Sequence, residues 1–452
     1  MDSSGCKWKS SAFALLAALV AAGRATAQLH AAWQTCARSD TAPDDGIAAC
    51  STIIESGTER GTNLAIAHFN RANGWLAKGE FDRAVADFSG AIGLDRTNAK
   101  AFYNRGNAWM ALGAHERAVN DLTEAIRLDA NFSAAYGSRG VAHYQRGDFE
   151  RAIIDLDAAI RLAPKDPRAL TARALAWRAK QEFSLSLNDF DRAVEIDPGD
   201  ARLRTERGAT LQAAGQPDRA LADFTEAIRL DGKFARARAN RGLVQLMRNN
   251  LDAAITALDE ALRLSPGDVD ALINRGTALQ LKGNLERARA DYDEALRVAP
   301  DTAAALGGRG NIHLARTDYD RAIADYDRAI ALNPDFAVTY SNRARAWRAK
   351  GDFTRALADL DNAIRIAPTD ASAYNSRAWT YQLAGRDADA LTDANKAIEI
   401  DPNDPNAYDT RGTIHVKLGM RDKAIADFQK ALQLNPGMQT SSEALRKLGA
   451  MR

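Results

Sequence analysis

Cysteine is almost missing: three residues in 452, at positions 6, 36 and 50. So small a number excludes a fold stapled by many disulfides, and no Cys-x-x-Cys pair offers a zinc site. Proline is also scarce, at 12 residues, which leaves long helical stretches unbroken. Neither sign of charge dominates, with 60 Lys and Arg against 59 Asp and Glu. A polyanionic partner such as nucleic acid therefore has no electrostatic footprint to meet. Long apolar runs are absent too. The longest, Ala12 to Ala22, has eleven residues, short of the about 20 that a membrane-spanning helix needs. Finally, no His-Glu-x-x-His, phosphate-binding glycine loop or Gly-x-Ser-x-Gly occurs, so the common hydrolase and nucleotide-binding signatures are lacking.

What is present begins with a leader. Lys7 and Lys9 precede the apolar run, and Ala25-Thr26-Ala27 follows it with small residues at the spacing a signal peptidase uses. Residues 1–27 read as a signal peptide cleaved after Ala27, with an uncleaved anchor or an unstructured tail as the alternatives. Export places the rest of the chain in the periplasm or outside the cell. Cleavage removes Cys6 and keeps the charge balance close to zero. Only Cys36 and Cys50 then remain, and an oxidising compartment favours their pairing.

From Ala65 the chain repeats itself. Eleven copies of 34 residues run to Met438 without an insertion. Position 27 is Ala in every copy, from Ala91 to Ala431, and position 20 is Ala in all but one, where Ser186 stands. Position 8 is Gly or Ala throughout, as in Gly106, Gly208 and Ala72. Two helices approach closely only where no bulky side chain separates them, so positions 8, 20 and 27 mark the contact. Position 24 supplies the filling volume with Phe88, Phe190 or Tyr292. Position 15 is Gly in eight copies and position 32 is Pro in eight. The first ends one helix in a left-handed turn and the second ends another. Each copy is thus one helical hairpin.

This pattern of Gly or Ala at 8, Ala at 20 and 27, and Pro at 32 resembles the tetratricopeptide repeat, over about four-fifths of the chain. The resemblance implies an all-α fold, a right-handed superhelical solenoid of helix-turn-helix repeats with a concave groove lined by the first helices. It also implies a protein that works by holding other proteins. One departure stands out: position 7, usually Leu in that family, is Arg in all eleven copies. Asp recurs at position 23 in ten of them, with Ala257 as the exception. A half-buried arginine demands a partner, so the two rows read as an ion-pair ladder.

The ends are expected to cap the array. Residues 28–64 form a divergent hairpin in which Cys36 on the first helix faces Cys50 on the second. After Met438, residues 439–452 form a capping helix, with Thr440-Ser441-Ser442-Glu443 as a capping box and Leu445 and Leu448 covering the last repeat. Arg446, Lys447 and Arg452 are expected to face water.

Positions 2, 5, 9, 12 and 13 share one face of each first helix and vary from copy to copy, as a recognition surface must. The candidate groove residues are Ile66, Phe69, Asn73, Tyr103 and Asn107 toward one end, Arg168, Arg202 and Arg236 in the middle, and Arg345 and Arg348 beyond. Aromatic and amide groups beside a basic stretch suit a protein or peptide partner with acidic residues. His143, His313 and His415 at position 11 read as packing residues rather than ligands. No cofactor or metal is implied. The function read from these features is a non-catalytic interaction scaffold. The alternatives are an envelope assembly factor for polysaccharide or outer-membrane machinery, and an enzyme whose site carries no known signature.

Overall fold

A computed structural model describes residues 27–451. The basic n-region, the apolar run and all of the leader but Ala27 lie outside the described residues, as does Arg452. All regular structure among the described residues is helical. Two compact units divide the chain, one ending at Leu230 after the second helix of repeat 5, the other beginning at Asp231.

Repeat 2 shows why each copy folds as a hairpin. Its first helix is Ala99–Ala111 and its second His115–Leu128, positions 1–13 and 17–30 of the frame. Asn98 opens the first helix by accepting the backbone N–H of Ala101, and Gly113 closes the turn with φ of 73°. That left-handed turn is demanded in every copy, whatever residue stands there. Gln181, Asn249 and Thr317 replace Gly at position 15 and still take φ of 62°, 59° and 60°. A β-branched residue such as Thr317 is strained in that region. Asp148, Asp318 and Asp352 open second helices by capping the N–H three residues on.

The hairpin contact is a fit between positions 8 and 24. A Cβ on Gly208 would lie 2.6 Å from Phe224, and one on Gly242 2.6 Å from Leu258. Glycine lets the large residue press against backbone, and the alanines at positions 20 and 27 are fully or almost fully buried beside it. Where Ser186 replaces Ala at position 20, its hydroxyl donates to the Ala174 carbonyl at 2.8 Å, so the buried polar group is satisfied.

Each end departs from the frame. The N-terminal hairpin has a helix over 27–36 and a second, Pro43–Glu55, and the sulfurs of Cys36 and Cys50 are bonded, with Cα atoms 4.9 Å apart. The first helix of repeat 1 starts at Gly61, a turn earlier than the 34-residue frame places it. The hairpin therefore ends short of residue 64. At the other end the expected capping box does not form. The last helix, Gln439–Lys447, begins two residues earlier than that box requires, with Met438 as its cap and no side-chain capping bond. The Thr440 and Ser441 hydroxyls instead donate to Asp409 Oδ1 at 3.0 and 2.5 Å. The reason is phase: Gln439 is position 1 of a twelfth first helix, which places these hydroxyls against repeat 11. Leu445 then occupies position 7 and is 2% exposed. Leucine stands there where the other copies have arginine. Arg446 and Lys447 are exposed.

Candidate partner-binding face

The arginine at position 7 proves to be structural, and it does more than the sequence indicates. Arg105 Nε and Nη2 donate to both carboxylate oxygens of Asp121 at 2.7 Å, while Nη1 reaches back to Ser89 of repeat 1 at 3.0 Å. The same three-way contact recurs along the chain. Arg173 pairs with Asp189 and with Asp157 of the preceding repeat, and Arg343 with Asp359 and Asp327. Within each unit these arginines bind their own hairpin and staple it to the one before. The partner at position 25, Ser or Thr in the first copies, mostly Asp after them and Asn395 at the last, escaped the sequence reading because its identity changes while its role does not. In repeat 6, where Ala257 replaces Asp, Arg241 turns to Glu260 at 3.3 Å, which it shares with Arg238.

The histidines at position 11 join this layer. His415 Nδ1 lies 2.8 Å from Asp427 Oδ2, and His143 is buried near Asp155. Burial pushes the His143 imidazole below the ordinary histidine range, the Asp155 charge opposing it. Among the described residues no group of three or more His, Cys, Asp or Glu side chains is placed to hold a metal ion.

Within each unit the first helices touch one another as well as the second helices beside them, so positions 2, 5, 9 and 12 of successive copies form one continuous face. In the first unit this face sinks into a depression of about 250 Å3. Tyr103, Asn107 and Met110 of repeat 2 form one wall, Ser138 and Val141 of repeat 3 the floor, and Arg168 of repeat 4 the far wall. Tyr103 is braced by Phe132, with ring centroids 4.8 Å apart. Gly137 opens the floor: it holds position 5, where repeats 1 and 2 carry Phe69 and Tyr103, and an added Cβ would touch only Ala159, at 4.0 Å. Gly137 and Val141 were not among the candidates. A glycine at a position that is elsewhere aromatic was the available signal.

The structure thus brings Tyr103, Asn107 and Arg168 together. The remaining candidates have separate surroundings. Ile66 is exposed at 43%, and Phe69 is turned edge-on into Phe88 of its own hairpin at 5.6 Å. Asn73 accepts from Asn104 of the next repeat at 2.9 Å, a cross-repeat bond that Asn311 and Asn342 repeat at 3.0 Å. Arg168 and Arg202 are exposed, but each is forked onto the aspartate two residues before it, Asp166 and Asp200. Arg168 holds Asp166 below the usual carboxylate range. At Asp200 burial acts the other way, and the Arg202 hydrogen bonds prevail. Arg236 is exposed in the second unit. Arg345 is exposed and Arg348 half-buried there. Burial draws the Arg348 guanidinium below the ordinary arginine range, with Arg345 adding repulsion.

A stack of helical hairpins held by a bidentate ion-pair ladder, with a variable face on its first helices, defines a class of repeat protein. Family models described as tetratricopeptide repeat match residues 69–133, 103–167, 138–201, 205–269, 273–335, 310–379, 371–404 and 405–438. The chain belongs to the tetratricopeptide repeat family. Among solved structures it is similar to the APC/C hetero-tetramer Cut9–Hcn1, at 16% identity over 90% of this chain and 93% of that one, with a TM-score of 0.52. It is also similar to a tetratricopeptide repeat protein from Parabacteroides merdae, at 22% identity over 55% and 99% of the two chains, TM-score 0.46. Yeast Tom70 matches at 16% identity over 86% and 95%, TM-score 0.41. A search of curated proteins returns no match. At 16% identity and a TM-score of 0.52, the first of these speaks for the fold alone.

Proposed function

We propose that this chain is a non-catalytic scaffold that binds protein or peptide partners on the face formed by its first helices. The observation that carries the reading is the depression of repeats 2 to 4, where a braced tyrosine, an asparagine and an arginine surround a floor opened by Gly137. A concave, largely apolar site with a few convergent polar groups is what a peptide segment requires. The variable residues gather on that face, while the invariant ones are spent on packing and on the ladder. Export is part of the proposal: residues 1–27 have the three-part pattern of a signal peptide, and a bonded Cys36 and Cys50 suit an oxidising compartment.

A photo-crosslinking amino acid placed at Met110 or Val141 tests the face, against a control at Ile154, which is 67% exposed on the second helix of repeat 3. Discrete partner adducts are expected from the first two positions and none from Ile154. Adducts from Ile154 alone move recognition to the outer helices. The mass of the native protein tests export, with an N-terminus at Gln28 expected and an intact Met1 counting against it.

A further inference from the structure

Several arginines of the first-helix face arrive with a carboxylate already in place. Arg168 and Arg202 fork onto Asp166 and Asp200, and Arg178 reaches Glu206 of the next repeat at 3.0 Å. Repeat 9 breaks this habit. Arg348 holds the same position as Arg178, the twelfth, but position 6 of the following repeat is Ser376 rather than glutamate. Its Nη1 donates instead to the Ser376 carbonyl and the Thr380 hydroxyl, each at 3.3 Å. Arg345, one turn earlier on the same face, makes no ion pair or hydrogen bond among the described residues. Two guanidiniums therefore share a patch without a counter-charge. A half-buried charge in that state is costly to the free protein.

Polar atoms in the same condition surround them. Ser341 Oγ, Asn375 Oδ1 and Gln382 Oε1 are buried without a hydrogen-bond partner, and Gln382 as a whole is only 5% exposed. Ser341, Arg345 and Arg348 occupy positions 5, 9 and 12 of repeat 9. Asn375, Trp379 and Gln382 occupy the same positions of repeat 10. The contacts of Arg348 with Ser376 and Thr380 show that these two stripes lie side by side. Unsatisfied groups gathered on one patch mark a ligand site better than a packing fault. The adjoining ground is apolar: a depression of about 350 Å3 is lined by Ile273, Leu281, Phe336 and Val338, with Tyr326 on its wall. Phe336 and Val338 are more than half exposed. The link between the two surfaces is Tyr326, which lines the depression and feels the charge of Arg345.

We infer that repeats 7 to 10 form a composite site for a peptide segment that carries a carboxylate beside a bulky apolar residue. The carboxylate lies between Arg345 and Arg348. The apolar side chain enters the depression between Leu281, Phe336 and Val338. The inference rests on the scaffold reading and names the chemistry of one ligand. It moves anion recognition away from Arg168 and Arg202, whose charges are already matched.

The test uses the mature chain with its disulfide intact and labelled, end-blocked Gly/Ser peptides that carry Glu and Leu separated by zero to four residues. Controls replace Glu by Gln or Leu by Ala, and binding is read by fluorescence anisotropy. At the best spacing the Glu peptide is expected to bind about tenfold more tightly than its Gln control, as charge-assisted hydrogen bonds to a desolvated arginine allow. The Arg345→Gln/Arg348→Gln variant should erase that preference, and Arg178→Gln should keep it. A second readout separates a ligand role from a structural one: Arg348→Leu should melt no lower than the parent, because it removes an unmatched charge. A clear fall in its melting temperature would make Arg348 a structural residue and overturn the inference. So would equal binding of Glu and Gln peptides, or a preference surviving in the double variant. Tenfold tighter binding of a phosphoserine peptide would assign the patch to phosphate and overturn it as well. Failure here with crosslinks intact at Met110 and Val141 removes only this ligand; failure of both removes the scaffold reading.

Discussion

At the scale of the residue, the arginine at position 7 decides most. Placed at a hairpin contact, it would be a liability if unpaired, and the fold answers with two acceptors, one from its own hairpin and one from the hairpin before. Arg309 is representative. It takes Asp325 of its own repeat at 2.7 and 2.8 Å and Asp293 of the preceding one at 2.9 Å. Asp325→Ala removes the bidentate partner and leaves the guanidinium half-buried. Asp293 remains, so the expected loss is about 1–3 kcal/mol, below that of breaking a fully buried pair. Repeat 6 shows how the loss is softened in nature, since Glu260 takes over there. Repeat 8 has Arg328 at the corresponding position and no such rescue. Urea denaturation followed by hydrogen exchange in repeat 8 measures the effect. An unchanged exchange pattern would show the ladder to be energetically idle.

At the scale of the element, the turn between the two helices outranks the identity of its residue. Eleven copies adopt the left-handed conformation at position 15, and three do so without glycine. Helix length, the 8-to-24 fit and the ladder over-determine that turn, so Gln181 and Thr317 are held against their own preference, while Asn249 adopts it more readily. Thr317→Gly should relieve about 1 kcal/mol, the left-handed penalty of about 1–2 kcal/mol reduced by the greater freedom of glycine in the unfolded chain. Slower amide exchange in repeat 8 is the expected sign. The same change at Gly283, were it reversed to Gly283→Thr, should cost a similar amount. If the two substitutions have no opposite effects, the turn is not where the strain resides.

At the scale of the whole molecule, stability is a sum of hairpins and the contacts between neighbours. Consequences of a local change should therefore stay local. The Cys36–Cys50 bond closes a loop of sequence separation 14 within the N-terminal hairpin, and a loop of that size contributes about 3 kcal/mol on the chain-entropy argument. Reduction is expected to speed exchange over residues 28–60 and to leave repeats 8 to 11 unchanged. Protection lost evenly along the chain would instead show a single cooperative block. The two ends manage exposure differently: the first hairpin is locked covalently, whereas the last helix sets Leu445 on the final repeat.

Much of this was legible without coordinates, and the reason is repetition. A residue seen eleven times in one frame reports its environment eleven times, so the hairpins, the small-to-large contact at positions 8 and 24, and the pairing of Arg with Asp could be read from period and size alone. Phase also explains the errors. The helix from Gly61 begins a turn before position 1 of repeat 1 while the register holds, and Thr440 and Ser441, expected as a cap, are the opening turn of a twelfth first helix. What tertiary structure alone decided concerns residues whose meaning depends on a variable neighbour. Arg178 and Arg348 are the same letter at the same position, yet one meets Glu206 and the other Ser376 across a contact between repeats. Arg168 and Arg202 looked free for a ligand until their forks onto Asp166 and Asp200 were seen. Periodicity fixes what is invariant. Whether a charge is spent or available is set by the distance between two side chains, which no spacing in the sequence records.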